Sequence, residues 1–235
     1  MASVDLAPAD AGTGRAGGPP LPAWDESCVS GVTPVRLAEL FGAVPMSRLA
    51  LNGDFSGSDE EFVLRLADGE PKRLCELIEG IVLEKAMGTR ESWIAVQLIT
   101  LLNIFVKQRD LGEVLGADGI LRLQKNVFIP DVSYLSKERL PGGKLPWDPG
   151  IAKLVPDLAV EVISPSNTVR ELETKRNACF AAGVRQMWTT DPDTETVTVW
   201  TSATESATYG KGQSFEAVPV LPGFQLQVAD VFPKA

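Results

Sequence analysis

The feature that most constrains this chain is the run Pro156-Asp157-Leu158-Ala159-Val160-Glu161-Val162-Ile163-Ser164-Pro165-Ser166. Residues 158–163 are β-prone and apolar at both parities, the pattern of a strand covered on both faces. Glu161 stands in the middle of that run. A carboxylate there is costly unless a cation or hydrogen-bond donors meet it. The group therefore asks for a partner, most simply a bound metal.

The segment that follows sharpens the requirement. Thr168 and Glu171 spell a capping box and Gly183 supplies a stop, so the spacing predicts a helix over 169–182. Its expected apolar stripe is Val169, Leu172, Cys179 and Ala182, and Lys175 falls on it. An ammonium on a sheet-facing stripe needs an acidic neighbour. Glu161 is the expected one.

Upstream, residues 73–85 read as a hairpin turning at Glu79-Gly80, with Glu76 as an exposed hairpin residue. A long helix is expected over about 91–108, burying Ile94, Ala95, Leu98, Leu102 and Phe105. Glu91 begins the same stripe. The helix dipole also favours an acid in a first turn, so a structural and a site role both stay open for it. Residues 120–123 and 126–135 read as strands, and Asp131 shares a face with Val127, Ile129, Ser133 and Leu135. Pro130 marks a bulge or an edge there. Residues 136–149 form a Gly/Pro-rich loop carrying Lys137, Arg139 and Lys144, which reads first as a solvated loop and second as a phosphate contact. A strand pair is expected over 186–190 and 196–201. Residues 1–30 read as a disordered arm, 31–70 as a helical N-terminal embellishment and 71–235 as the main domain.

Asp131 and Glu161 on adjacent strands, Lys175 from the next helix and Glu91 from the long helix can meet at one point. The chain has no histidine, which excludes serine–histidine triads, histidine general bases and the usual zinc ligands. Its three cysteines include no CxxC pair, so no disulfide frame or thiolate zinc site is expected. What remains is oxygen-ligand chemistry with a hard cation, Mg²⁺ or Mn²⁺. In that reading the cation polarises a phosphoryl oxygen and helps generate hydroxide, while Lys175 orients the attacking water and offsets developing charge. Asp157 opens its strand and reads as a turn or cap residue. The net charge of −9 counts against tight non-specific nucleic-acid binding but leaves room for a local basic patch.

Leu74-Cys75-Glu76-Leu77-Ile78-Glu79-Gly80, Ile129-Pro130-Asp131-Val132, residues 156–164, Lys175, Ala181-Ala182-Gly183-Val184-Arg185, Trp188 and Asp191-Pro192 together resemble the Uma-type restriction endonuclease family. That family lies within the PD-(D/E)XK nuclease superfamily, and the resemblance covers about residues 70–201. It implies an α/β, restriction-endonuclease-like fold with a mixed β-sheet flanked by helices. It further implies a divalent metal held by Asp131 and Glu161, with Lys175 as a relocated catalytic lysine. The usual pattern puts that lysine two residues after the acid, where this chain has Ile163. Two other departures are Cys179 where the family often has Tyr, and Glu91 where many members have His. An acid on that helix is compatible with metal binding elsewhere in the superfamily.

The expectation is thus a cytoplasmic, Mg²⁺- or Mn²⁺-dependent endonuclease acting on DNA, without membrane association. By superfamily analogy it works as a homodimer. One alternative is a catalytically silent binding or regulatory module on the same fold; another is a small-molecule phosphodiesterase, which suits the acidic surface better.

Overall fold

A computed structural model describes residues 34–50, 59–86, 88–147 and 150–233. The expected arm at 1–30 lies outside the described residues. In chain order the elements are α1 (Pro34–Phe41), α2 (Asp59–Asp68), β1 (Cys75–Ile78), β2 (Ile81–Glu84), α3 (Thr89–Gln108), β3 (Gly112–Gly116), β4 (Leu121–Leu123) and β5 (Asn126–Phe128). They continue with β6 (Val132–Ser136), β7 (Leu158–Val162), α4 (Val169–Ala182), β8 (Gln186–Asp191), β9 (Thr196–Trp200), β10 (Ser206–Gly210), β11 (Ser214–Glu216) and β12 (Gln225–Gln227).

The strands form a four-stranded sheet ordered β2-β1-β5-β4, a six-stranded sheet ordered β10-β9-β8-β7-β6-β3, and a small β11-β12 ribbon. In the larger sheet β7 and β8 are parallel, joined across α4, and the other pairs are antiparallel. The result is a mixed α/β architecture. The long strand expected over 126–135 is in fact two. Pro130 cannot donate to a ladder, and the chain leaves the smaller sheet after β5 and enters the larger one at β6. Asp131 therefore sits in the crossing between the sheets and not within a strand.

Alternation along β7 sorts its side chains. Leu158, Val160 and Val162 join α3 residues Ile94, Leu98 and Leu102 and C-terminal residues Phe215, Phe224 and Phe232 in one core. Ala159 faces the other way, into a core built with Phe41, Ile78, Leu83, Phe128 and Cys179. Glu161 shares the parity of Ala159. The predicted buried face of α3 holds with one change: Val106 is fully buried and Phe105 only partly so, packing edge-on against Phe224 at 5.2 Å.

The helix α4 has the predicted bounds. Thr168 caps it, accepting from the Glu171 amide at 3.0 Å while the Glu171 carboxylate accepts from the Thr168 amide. Gly183 ends it at φ 97°, a left-handed conformation that suits glycine. Its inward line differs from the expected stripe. Glu171, Lys175 and Cys179, four residues apart, face the interior, whereas Val169 is 83% exposed. The reason lies in the N-terminal segment. Arg48 donates to both carboxylate oxygens of Glu171, at 2.8 and 2.7 Å, and to the carbonyls of Glu84 and Ser166, each at 2.9 Å. A charge on α4 is thereby matched by one 123 residues earlier. A 3-10 turn at Met46–Arg48 aims this guanidinium.

Removing one member of a buried ion pair strands the other. Arg48→Ala is accordingly expected to lower unfolding free energy by about 3–5 kcal/mol in urea titration. Arg170→Ala, which breaks only the exposed Arg170–Glu173 pair, should change it by less than about 1 kcal/mol.

Candidate functional site

Five charged side chains converge on the seam between the two sheets. Glu76 points from β1, Lys85 follows β2, Asp131 stands at the crossing, Glu161 comes from β7 and Lys175 from α4. All five are buried, Glu76 completely. The pairing of Val132 with Val160 sets the register that brings Asp131 and Glu161 onto neighbouring positions of one sheet face.

The lysines bind the acids in a defined order. Lys175 Nζ lies 2.6 Å from Glu76 Oε2 and 3.6 Å from Glu161 Oε2. Its nearer partner is therefore Glu76 and not the expected Glu161. Glu76, read from the sequence as an exposed hairpin residue, has its other oxygen accepting from the Ile129 amide at 2.9 Å. Lys85 Nζ lies 2.9 Å from Asp131 Oδ1 and also donates to the Ile129 carbonyl. Asp131 Oδ2 accepts from the Val162 amide at 2.7 Å. Lys85 was absent from the sequence reading. Parity was the available signal in both cases: Glu76 alternates with Leu74 and Ile78, and Lys85 continues the inward line of Ile81 and Leu83.

The three acids and two ammoniums leave one negative charge uncompensated, and Glu161, with the loosest contact, carries it. Burial pushes the Glu161 pKa up to about 7 against the pull of Lys175 and Lys85, with further repulsion from Asp131 and Glu76. Burial opposes the charge on both lysines, but the surrounding carboxylates outweigh it and raise their pKa values. Cys179 lies against this cluster, and burial pushes its thiol far above the ordinary range, which keeps it un-ionised.

Glu91 takes a different place. With Asp131 it lines a cleft of about 280 Å³ beside the first turns of α3, together with Gly88, Ala95, Ile99 and Asp118. Its carboxylate folds back over Gly88, where any side chain would run into it. Of the five clustered side chains, Asp131 is the one that lines this cleft. Asp157 lies apart from this cluster: it accepts from the Ser136 amide at 2.8 Å and pairs with Arg185 and Arg139. In the basic loop, Lys137 pairs with Asp110, and Arg139 donates to the Gly183 carbonyl as well as meeting Asp157. Lys137 and Arg139 are thus paired within the chain.

Among the described residues, no three acidic or sulfur side chains converge tightly enough to hold a metal ion. The donor set nevertheless suits a hard cation. It offers carboxylate oxygens alone, and the negative charge at Glu161 is unbalanced. Loading Asp131 would require its Oδ1 to exchange the Lys85 ammonium.

The family described as "Putative restriction endonuclease", Uma2, matches residues 59–229, and the chain belongs to it. Among solved structures, the chain is similar to the crystal structure of a putative nuclease of the DUF820 group from Anabaena variabilis. The two are 22% identical with a TM-score of 0.62, and the match covers 74% of this chain and 97% of that one. At that identity the likeness establishes a shared fold, the restriction-endonuclease-like one expected. No curated protein matches the chain at a comparable level. Among the described residues no helix is long and apolar enough to cross a membrane.

The raised Glu161 pKa has a measurable consequence in metal-free protein. The folded state holds that proton more tightly than the unfolded chain, whose carboxyl titrates near 4.5. Its contribution is complete below that pH and is lost as pH rises through about 7. The stability of the wild type relative to Glu161→Gln should therefore fall across this window, by up to about 1.4 kcal/mol per pH unit. Urea unfolding in a chelating buffer from pH 4.5 to 8 reads this directly; a constant difference would show that Glu161 stays ionised throughout.

Proposed function

We propose that the protein is a metal-dependent endonuclease that hydrolyses phosphodiester bonds, with DNA as substrate, acting in the cytoplasm as a homodimer. The observation that carries this reading is the buried Lys175 held between Glu76 and Glu161, in one cluster with Asp131, which lines a cleft. Family membership supports the same chemistry.

Asp131 and Glu161 would hold Mg²⁺ or Mn²⁺. When bound, the cation supplies Lewis acidity at a phosphoryl oxygen. Lys175 has three donors; Glu76 pairs with it at 2.6 Å and Glu161 stands beyond hydrogen-bond reach at 3.6 Å, so donors remain to orient water or a phosphate oxygen. Its charge also offsets that gathering on phosphorus. Glu161 would act there as a metal ligand, and a cation on it would favour its ionised form. Glu76 does not approach the cleft; it fixes the height of Lys175. Glu91 lines the cleft with Asp131, where it would contribute negative potential toward a cation. Cutting both strands of a duplex takes two such centres, hence the pair of copies.

One observation favours a second reading, a silent module of the same fold. The Asp131 carboxylate is already satisfied by Lys85 and by the Val162 amide, as a purely structural acid would be.

Nicking of supercoiled plasmid separates the two. With Mg²⁺ or Mn²⁺ the wild type should cut, a chelator should stop it, and Glu161→Gln should slow it by roughly 10²-fold or more while leaving DNA retention intact. Retention should weaken steeply with salt. DNA binding without any metal-dependent cut would favour the silent module. Lys175→Ala is a poor control, because it leaves completely buried Glu76 without its cation.

A further inference from the structure

Lys85 belongs to none of the roles assigned so far, yet it is as deeply placed as Lys175. Its backbone amide is tied to the Leu74 carbonyl at 2.8 Å, which fixes the chain just past β2. From there its side chain crosses from the smaller sheet to the seam and ends on two acceptors, Asp131 Oδ1 and the Ile129 carbonyl. Both belong to the segment that carries the chain between the sheets.

The choice of oxygen is informative. Asp131 Oδ2 is turned toward β7 and engaged by the Val162 amide at 2.7 Å. Oδ1, the oxygen Lys85 holds, is the one left for an incoming ligand, and Asp131 lines the cleft. A buried ammonium thus stands where a cation bound to this carboxylate would have to stand. Two cations on one carboxylate oxygen repel each other, and the interior screens them poorly.

We propose that Lys85 is an internal cation that occupies the Asp131 side of the metal centre, so that Lys85 and a divalent metal are mutually exclusive on Asp131 Oδ1. The inference rests on the metal-dependent reading of the site. It makes Lys85 a positioning residue: it holds Asp131 folded and compensated before loading, and it withdraws when metal enters. Weak metal affinity is then a built-in property of the centre. In the metal-free protein the seam remains intact because the ammonium replaces the ion.

Titration of Mn²⁺ into the purified full chain, followed by the loss of the free-ion electron paramagnetic resonance signal, tests this without any activity readout. Lys85→Met and Lys85→Gln should bind Mn²⁺ at least tenfold more tightly than the wild type. Lys85→Arg, which keeps the charge, should not gain affinity, and Asp131→Asn should lose binding. Lys85→Gln retains a donor for the Ile129 carbonyl, so it covers the case in which Lys85→Met fails to fold. In the wild type, the lysine ammonium signals seen by ¹H–¹⁵N correlation supply an independent measure. The slowly exchanging Lys85 ammonium should shift and begin exchanging rapidly as Mg²⁺ is added. Wild-type Mn²⁺ binding with equal or weaker binding by the neutral variants, or an unmoved Lys85 signal at saturation, overturns the exclusion alone. Failure of the wild type and every neutral variant to bind Mn²⁺ overturns it together with the metal-dependent reading.

Discussion

The structure depends on the burial of one ammonium, that of Lys175, between acids from different sheets. Glu76 belongs to the smaller sheet and Glu161 to the larger one, and the lysine on α4 spans them at 2.6 and 3.6 Å. Taking such charges out of water is expensive, and their attraction offsets the cost only where the geometry is good and the remaining donors and acceptors are met. Here backbone meets three of them. The Ile129 amide serves Glu76, the Val162 amide serves Asp131 and the Ile129 carbonyl serves Lys85. The crossing between the sheets is therefore held from both sides by the groups that form the site, and fold and site cannot be separated at this point.

The placement of that lysine follows from local rules applied at each end of its helix. A capping box starts α4, a left-handed glycine ends it, and the register between fixes which residues look inward. Glu171 and Lys175 lie one turn apart on that inward line. Each meets an opposite charge from far away in the chain, Arg48 in one case and Glu76 in the other. Two buried ion pairs on one helix face constrain its rotation more tightly than its few apolar contacts could. At the centre three acids face two ammoniums, and the unbalanced negative charge falls on Glu161.

Much of this was legible in the residues. The central strand, the bounds of α4, the hairpin turn and the inward position of Lys175 all follow from short-range patterns that the structure keeps. What escaped depended on layers of structure that periodicity within one segment does not report. Glu76 looks exposed if the hairpin is taken alone; it is buried because β1 pairs with β5 on its second edge and α4 covers its face. The run 126–135 looks like one strand until Pro130 is given its full weight as the point where the chain changes sheets. Arg48 and Lys85 carried no local signal beyond parity, since each is explained by a partner in another element. The strands β3 and β10 are glycine-bearing and only partly buried, and β11 and β12 are three residues long with one buried residue each, so none carries the continuous apolar run that marks β7.

A double-mutant cycle on Glu76 and Lys175 tests most directly whether the seam is one coupled unit. Unfolding free energies of Glu76→Gln, Lys175→Met and the double variant give the coupling without requiring any catalytic readout. A buried, hydrogen-bonded pair predicts each single change to be strongly destabilising and the double change to cost much less than their sum, with a coupling of about 2 kcal/mol or more. Additive losses, with a coupling below about 0.5 kcal/mol, would mean that the two charges do not depend on each other and that the seam is held by something else.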